Sequence, residues 1–209
     1  MTGRFNHSNS FREAFRGKCI KLLVSAYHKA IKAKSINLNW EENDITAQLY
    51  EYIDNDQFRV DNSITANVEH HLADASSPKD KGFAAKYSRI DMRFVVIRNS
   101  FEYKYFAEAK LLREKDSALK RRYIKTGIDN FISGKYYNGF LVAYIVEGVL
   151  INAVKGINEL LEKDHRDTEI LRKRTCNCHN EYYESDHDPI GKLKHFMFDF
   201  TNCGRTNVA

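Results

Sequence analysis

Two spacings of apolar residues divide the chain. Phe11, Phe15, Cys19, Leu22, Leu23, Ala26, Tyr27, Ala30 and Ile31 recur every three or four positions, which predicts an amphipathic helix over 10–33. A second helix is expected over 41–54, with acidic residues in its first turn, as the helix dipole favours, and Ile45, Leu49, Tyr52 and Ile53 inward. The period then shortens to two. A strand is expected over 63–71 and two more over 89–97 and 102–112, where Val95, Val96, Ile97, Tyr103, Tyr105 and Phe106 are the β-branched and aromatic types that suit a pleated surface. Asn99-Ser100 supplies a two-residue hairpin turn between them. Ser76, Ser77, Pro78 and Gly82 mark 74–87 as a mobile loop. Helical spacing returns over 117–133 through Leu119, Tyr123, Ile124, Ile128, Phe131 and Ile132. The unbroken apolar run at 138–146 reads as a strand inside a sheet, 149–162 as a further helix, and 171–184 and 193–201 as two last strands that extend the sheet.

The order helix, three strands, helix, strand predicts an α/β fold: a mixed central sheet flanked by helices, with an extra C-terminal helix and strands. At 209 residues, 43% hydrophobic and two prolines, one domain is the simplest division. Its parts would be an N-terminal helix (1–35), a core (41–147) and a C-terminal extension (149–209). No apolar run approaches the roughly 18 residues of a membrane span, and the polar start has no signal-peptide core. The expectation is therefore a cytoplasmic protein with no membrane partner, whose four cysteines stay reduced. A formal net charge of +5 permits a polyanionic partner. Seven basic residues between Lys110 and Lys125 face only Glu114 and Asp116, and Lys120, Arg121, Arg122 and Lys125 are the candidates for phosphate contact.

Chemistry enters through the hairpin register. A turn centred on Asn99-Ser100 sets Ile97 opposite Glu102, Asp91 opposite Glu108 and Arg89 opposite Lys110. Like charges so opposed destabilise a sheet unless something bridges them, and a divalent cation would. Lys110 lies two positions beyond Glu108 and shares its face. A second Glu-x-Lys, Glu102-Tyr103-Lys104, is discounted because it abuts the turn opposite Ile97.

Arg89-Ile90-Asp91 followed by Glu108-Ala109-Lys110, within an αβββαβ order, resembles the PD-(D/E)XK nuclease superfamily, the restriction-endonuclease-like fold, with Ile90 where the family name has proline. The resemblance implies a metal-dependent endonuclease acting on DNA rather than RNA. Asp91, Glu108 and the Ala109 carbonyl would hold Mg²⁺ or Mn²⁺, and Lys110 would orient or help deprotonate the attacking water. An acidic residue of the preceding helix commonly joins such a site, and Glu42 is the matching position, with Glu41 as the runner-up. Gly134-Lys135-Tyr136 leading into Gly139-Phe140-Leu141 loosely resembles small nucleases of bacterial antiviral defence, which would bring a homodimer or a partner protein. The alternative is a catalytically silent or partner-activated nucleic-acid-binding module of the same fold.

Rival sites are weaker. His70 and His71 point to opposite faces of a strand and cannot clamp a metal together. Cys176, Cys178 and His179 offer zinc ligands, but one intervening residue is short of the usual two to four, and on a strand the two thiols would diverge. No Ser, His and acid arrangement is assembled by spacing around Ser185-Asp186-His187.

Overall fold

The computed structural model describes residues 3–71 and 89–203, and the loop expected over 74–87 falls outside them. Helix α1 (Gly3–Ala33) is followed by α2 (Glu42–Asp54), short α3 (Gln57–Asp61) and strands β1 (Thr65–His71), β2 (Arg89–Arg98) and β3 (Phe101–Arg113). Then come α4 (Ser117–Arg122), a π-helical segment (Tyr123–Ile128), α5 (Asp129–Ile132), β4 (Gly139–Glu147), α6 (Leu150–Lys163), β5 (Arg172–Arg174), β6 (Tyr182–His187) and β7 (Gly191–Asp199). The strands form one seven-stranded mixed sheet in the order β1-β2-β3-β4-β7-β6-β5. β3, β4 and β7 run parallel, and the outer pairs are antiparallel.

Period-two alternation in the central strands builds a core on each face. Phe140, Val142, Tyr144 and Val146 of β4, with Phe196 and Phe198 of β7, pack toward Leu22, Leu23 and Ala26 of α1 and Ile45, Leu49 and Ile53 of α2. Leu141, Ala143 and Ile145, with Met197, face Tyr123, Ile124 and Ile128 of the π-helical segment and Val154, Ile157 and Leu161 of α6. Because β4 is covered on both sides, its sequence is a continuous apolar run. Among the described residues no helix is long and apolar enough to cross a membrane.

Three expectations change. The single strand predicted over 171–184 is broken into β5 and β6, because Asn177 and Asn180 lie in a polar stretch that turns the chain back on itself. Within that turn Cys176 and Cys178 are joined by a disulfide, against the expectation of reduced thiols. The period-two argument that sent their side chains apart holds only on a strand, and these residues are in a turn. Cys19 and Cys203 are free and buried. The helix expected over 117–133 is present but interrupted: one π-turn at Tyr123–Ile128 re-phases it so that Tyr123, Ile124, Gly127 and Ile128 all face the sheet.

Candidate functional site

The β2–β3 hairpin turns at Asn99 and Ser100, both in the left-handed region (φ 50° and 65°), and pairs Ile97 with Glu102 as the turn chemistry requires. The ladder runs only as far as Met92 opposite Ala107. Beyond it the strands part: Ile90 pairs with His70 of β1, while β3 continues against β4, with Glu108 opposite Leu141. Asp91 and Glu108 therefore do not face each other across a closed ladder, and Arg89 pairs with His71 rather than Lys110. Asp91 stands in the fork, where its Oδ2 accepts the Ala109 N–H at 2.6 Å. The strand is irregular at this point. Met92, Phe94 and Val96 pack in the α1–α2 core, but Ile90 packs in the opposite one, so the alternation breaks at Asp91. On the neighbouring strand Glu69 adopts a left-handed φ of 47°, a conformation that costs a side chain about 1–2 kcal/mol.

Lys110 is the centre of this fork. Its Nζ donates to Glu108 Oε1 (2.8 Å), the Ala109 carbonyl (2.6 Å) and Glu42 Oε1 (3.3 Å), and lies 3.8 Å from Asp91 Oδ2. The side chains of Lys110, Glu108 and Glu42 are 5, 6 and 8% exposed, so these charges act in a medium of low effective dielectric. Glu42 comes from the first turn of α2; its other oxygen accepts the Leu111 N–H (2.8 Å), and Arg122 also donates to Oε1 (3.0 Å). Glu41 does not reach the site. It is exposed at the start of α2, where its N–H donates to Asp44 Oδ2 (3.0 Å).

Burial drives the electrostatics. It pushes the Glu108 carboxyl up to about 7, helped by the Asp91 charge and opposed by Lys110. Asp91 is raised for the same leading reason, with Lys110 and the Ala109 N–H opposing. Burial works against the Lys110 ammonium, but Glu108, Asp91 and Glu42 outweigh it and hold its pKa above the ordinary value. Glu108 Oε2 is buried without a hydrogen-bond partner among the described residues. Such an orphaned oxygen costs about 1–3 kcal/mol of desolvation. Tyr136 is adjacent to Glu108, yet its hydroxyl donates to the Arg89 carbonyl (2.8 Å). Gly127 of the π-helical segment approaches so closely that a Cβ there would lie 2.9 Å from Leu141 Cδ2 and 3.6 Å from Lys110 Cγ.

No family model, curated protein or solved structure matches this chain. The assignment of the site rests on its own geometry.

The donor set around the fork is all oxygen: two carboxylates with raised pKa values, one of them carrying an unpaired buried atom, and a backbone carbonyl. That composition fits a hard divalent cation. Glu42 reaches the fork as expected, with its oxygens engaged by Leu111, Lys110 and Arg122, just as Lys110 engages Glu108 Oε1 and the Ala109 carbonyl and the Ala109 N–H engages Asp91. Among the described residues no group of three or more His, Cys, Asp and Glu side chains is arranged to hold a metal. This includes the zinc candidates: His179 Nε2 is 2.8 Å from the Met197 carbonyl, and Cys176 is bonded to Cys178.

The basic helix is differently engaged from what its charge suggests. Lys120 Nζ donates to the Glu114 carbonyl (2.7 Å), Arg121 pairs with Asp164, and Arg122 turns in to Glu42. Of these four candidates Lys125 alone has none of these contacts, and it is exposed.

Sequence reasoning missed a second polar cluster, on the α6 side of β6 and β7. Ser185 Oγ lies between His187 Nε2 and His195 Nε2 (2.6 Å to the latter), His187 Nδ1 is 2.6 Å from Glu169 Oε2, and Tyr123 Oη is 2.7 Å from His195 Nδ1. Ser185, His187 and Glu169 have the connectivity of a nucleophilic triad, but Ser185 is fully buried and capped by the second imidazole, so no substrate reaches it. The proton positions follow in order. Arg166 and His187 help hold Glu169 below the usual carboxylate range against the effect of burial, and burial depresses both histidines, so Glu169 is charged and the rings neutral. His187 Nδ1–H then donates to Glu169, Ser185 to His187, His195 to Ser185 and Tyr123 to His195. The chain of donors runs one way, and the residues come from sequence positions too scattered for any spacing rule.

Proposed function

We propose that the chain is a metal-dependent nuclease of the PD-(D/E)XK type, hydrolysing phosphodiester bonds with Asp91, Glu108 and Lys110 at its centre. The observation that carries this reading is the buried fork of β2 and β3, where Asp91, Glu108 and Glu42 converge on Lys110 while Glu108 Oε2, beside the Tyr136 ring, has no hydrogen-bond partner among the described residues. The element order from α2 to β4, which apart from short α3 contains helix, three strands, helix and strand, supports the same assignment.

In this reading Asp91, Glu108 and the Ala109 carbonyl hold Mg²⁺ or Mn²⁺. When bound, such an ion acidifies water and neutralises charge on the phosphate under attack. Without a bound cation, Glu108, Asp91 and Glu42 hold the Lys110 pKa above its ordinary value against the effect of burial. Lys110 would orient or help deprotonate the attacking water and stabilise negative charge, the two roles the resemblance implies. Glu42 fixes the ammonium by a bond from the far side and is itself fixed by Leu111 and Arg122. Arg122 is thereby a positioning residue before it is a phosphate contact.

The test is incubation of purified protein with supercoiled plasmid, linear duplex, single-stranded DNA and RNA, each with Mg²⁺, Mn²⁺ or chelator. Cleavage of DNA that needs the metal and is lost in Asp91→Asn, Glu108→Gln and Lys110→Ala is expected. Equal cleavage by the three variants would refute the mechanism, and cleavage of RNA only would overturn the choice of DNA.

A further inference from the structure

Where the chain enters β4, two clefts of about 260 and 190 Å³ share Arg16, Tyr137 and Asn138 as walls. Three properties distinguish them from an ordinary solvated surface. The first is charge: Arg12, Arg16, Lys104, Lys192 and Lys194 line the joined groove, and although Glu102, Glu184 and Glu13 pair with Lys104, Lys192 and Arg16, cations still outnumber the acids around it by five to three, with no ion pair to Arg12 or Lys194 among the described residues. The second is an aromatic ring held in water. Tyr137 is 71% exposed, yet it stands perpendicular to the buried Phe106 ring (88°, centroids 5.3 Å apart), so packing fixes its orientation while its surface stays open. The flanking Asn138 is tied down twice, its Nδ2 donating to the Lys104 carbonyl (2.7 Å) and its own carbonyl accepting the Phe106 N–H (3.1 Å). The third is an unmet donor. Arg16 pairs through NH1 with Glu13, but its buried Nε–H has no acceptor among the described residues.

From these features we infer that the groove is a track for a single-stranded polynucleotide, with a base stacked on Tyr137 and phosphates running along Arg12, Arg16 and Lys104 on one side and Lys192 and Lys194 on the other. A cationic groove with a rigid exposed aromatic is the arrangement by which proteins hold single strands without reading sequence. Each cleft is smaller than the roughly 300–1,000 Å³ of a drug-sized ligand site, a size that suits one planar group at a time. The groove also leads to the fork. Tyr136, next to Tyr137, lines the second cleft and is adjacent to Glu108, with its hydroxyl on the Arg89 carbonyl. The inference rests on the nuclease reading only for what happens at the end of the track, since binding itself needs no metal.

The experiment is fluorescence anisotropy in chelator over a salt series, with labelled oligo(dT), oligo(rU) and a duplex of equal length. The proteins are wild type, Tyr137→Ala, Tyr137→Phe and the Lys192→Gln/Lys194→Gln double variant, each checked for an unchanged melting temperature. Single strands are expected to bind at least about tenfold more tightly than duplex. Tyr137→Ala should lose roughly five- to a hundredfold, the range of one stacked base, while Tyr137→Phe, which keeps the ring, stays within about twofold. The double lysine variant should flatten the slope of log affinity against log salt by about 1 to 1.5, at roughly 0.7 per released counterion on a single strand. The ratio of oligo(dT) to oligo(rU) affinity names the sugar. Duplex binding as tight as single-strand binding, an unaffected Tyr137→Ala, or equal competition by poly-glutamate would overturn the track. Because no cleavage is read, loss of the nuclease reading in the metal assay would leave these signatures intact, and their absence would leave cleavage untouched.

Discussion

Lowering the pH from 7 to 5 should weaken the fold through His195, and the size of the effect follows from its surroundings. The ring is fully buried between Tyr123 and Ser185, and burial, with a smaller contribution from His187, depresses its pKa from the ordinary 6.5 to about 3. In the unfolded chain the same imidazole takes up a proton as soon as the pH falls below 6.5. Its contribution to stability is therefore complete above 6.5 and is lost progressively as the pH drops toward 3. At about 1.4 kcal/mol per pH unit, the loss between 6.5 and 5 is about 2 kcal/mol, a large part of the roughly 5–15 kcal/mol of a typical domain. Glu108, with its carboxyl raised to about 7, works in the opposite direction over the same range, so wild type alone does not isolate the histidine. His195→Gln does, because its amide does not titrate in this range. Urea unfolding at pH 7, 6 and 5 should find the variant weaker at pH 7, since a buried donor or acceptor is left unmet, and the two proteins converging by about 2 kcal/mol at pH 5. Parallel pH profiles would refute the neutral, one-directional hydrogen-bond chain.

Further outcomes follow from single contacts. Gly127→Ala sets a Cβ 2.9 Å from Leu141 Cδ2, so it should destabilise by about 1–3 kcal/mol in thermal or urea melts despite alanine's better helix propensity. Glu42→Ala leaves the part-buried Leu111 N–H without its acceptor and removes one partner of the buried Lys110 ammonium, which should cost about 1–3 kcal/mol by the same melts. Reducing the Cys176–Cys178 disulfide opens a loop with one intervening residue, so the entropic loss should be only about 1–2 kcal/mol, measured by unfolding with and without a dithiol. Lys120→Ala should lower stability, since its ammonium holds the Glu114 carbonyl, and leave the salt dependence of nucleic-acid binding nearly unchanged.

The parts of the fold legible in the sequence were those with local causes. The α1 stripe, the β4 run and the Asn99-Ser100 turn each depend on period or turn chemistry within a dozen residues, and each forms where expected. The register that brings Asp91 and Glu108 to one region followed from that turn, and the position of Glu42 from its place beside the buried stripe of α2. What the sequence concealed was long-range. Parting of the β2–β3 ladder at Asp91 depends on β1 and β4 competing for its two strands. The salt bridges that engage Arg121 and Arg122 join residues 43 and 80 positions apart. The π-turn at Tyr123–Ile128 leaves no signature in helical spacing, because it changes the phase by a single residue. The disulfide escaped because Cys176 and Cys178 were assigned to a strand that the chain does not form there.

The central claim is that the fork between β2 and β3 is a divalent-cation site, and calorimetric titration of the purified chain with Mn²⁺ at pH 7.5 tests it most directly. One Mn²⁺ per chain is expected for wild type, with binding abolished in Glu108→Gln, whose amide cannot match the charge of the orphaned carboxylate oxygen, and strongly weakened in Asp91→Asn. No binding by wild type, or equal binding by all three proteins, would contradict the account.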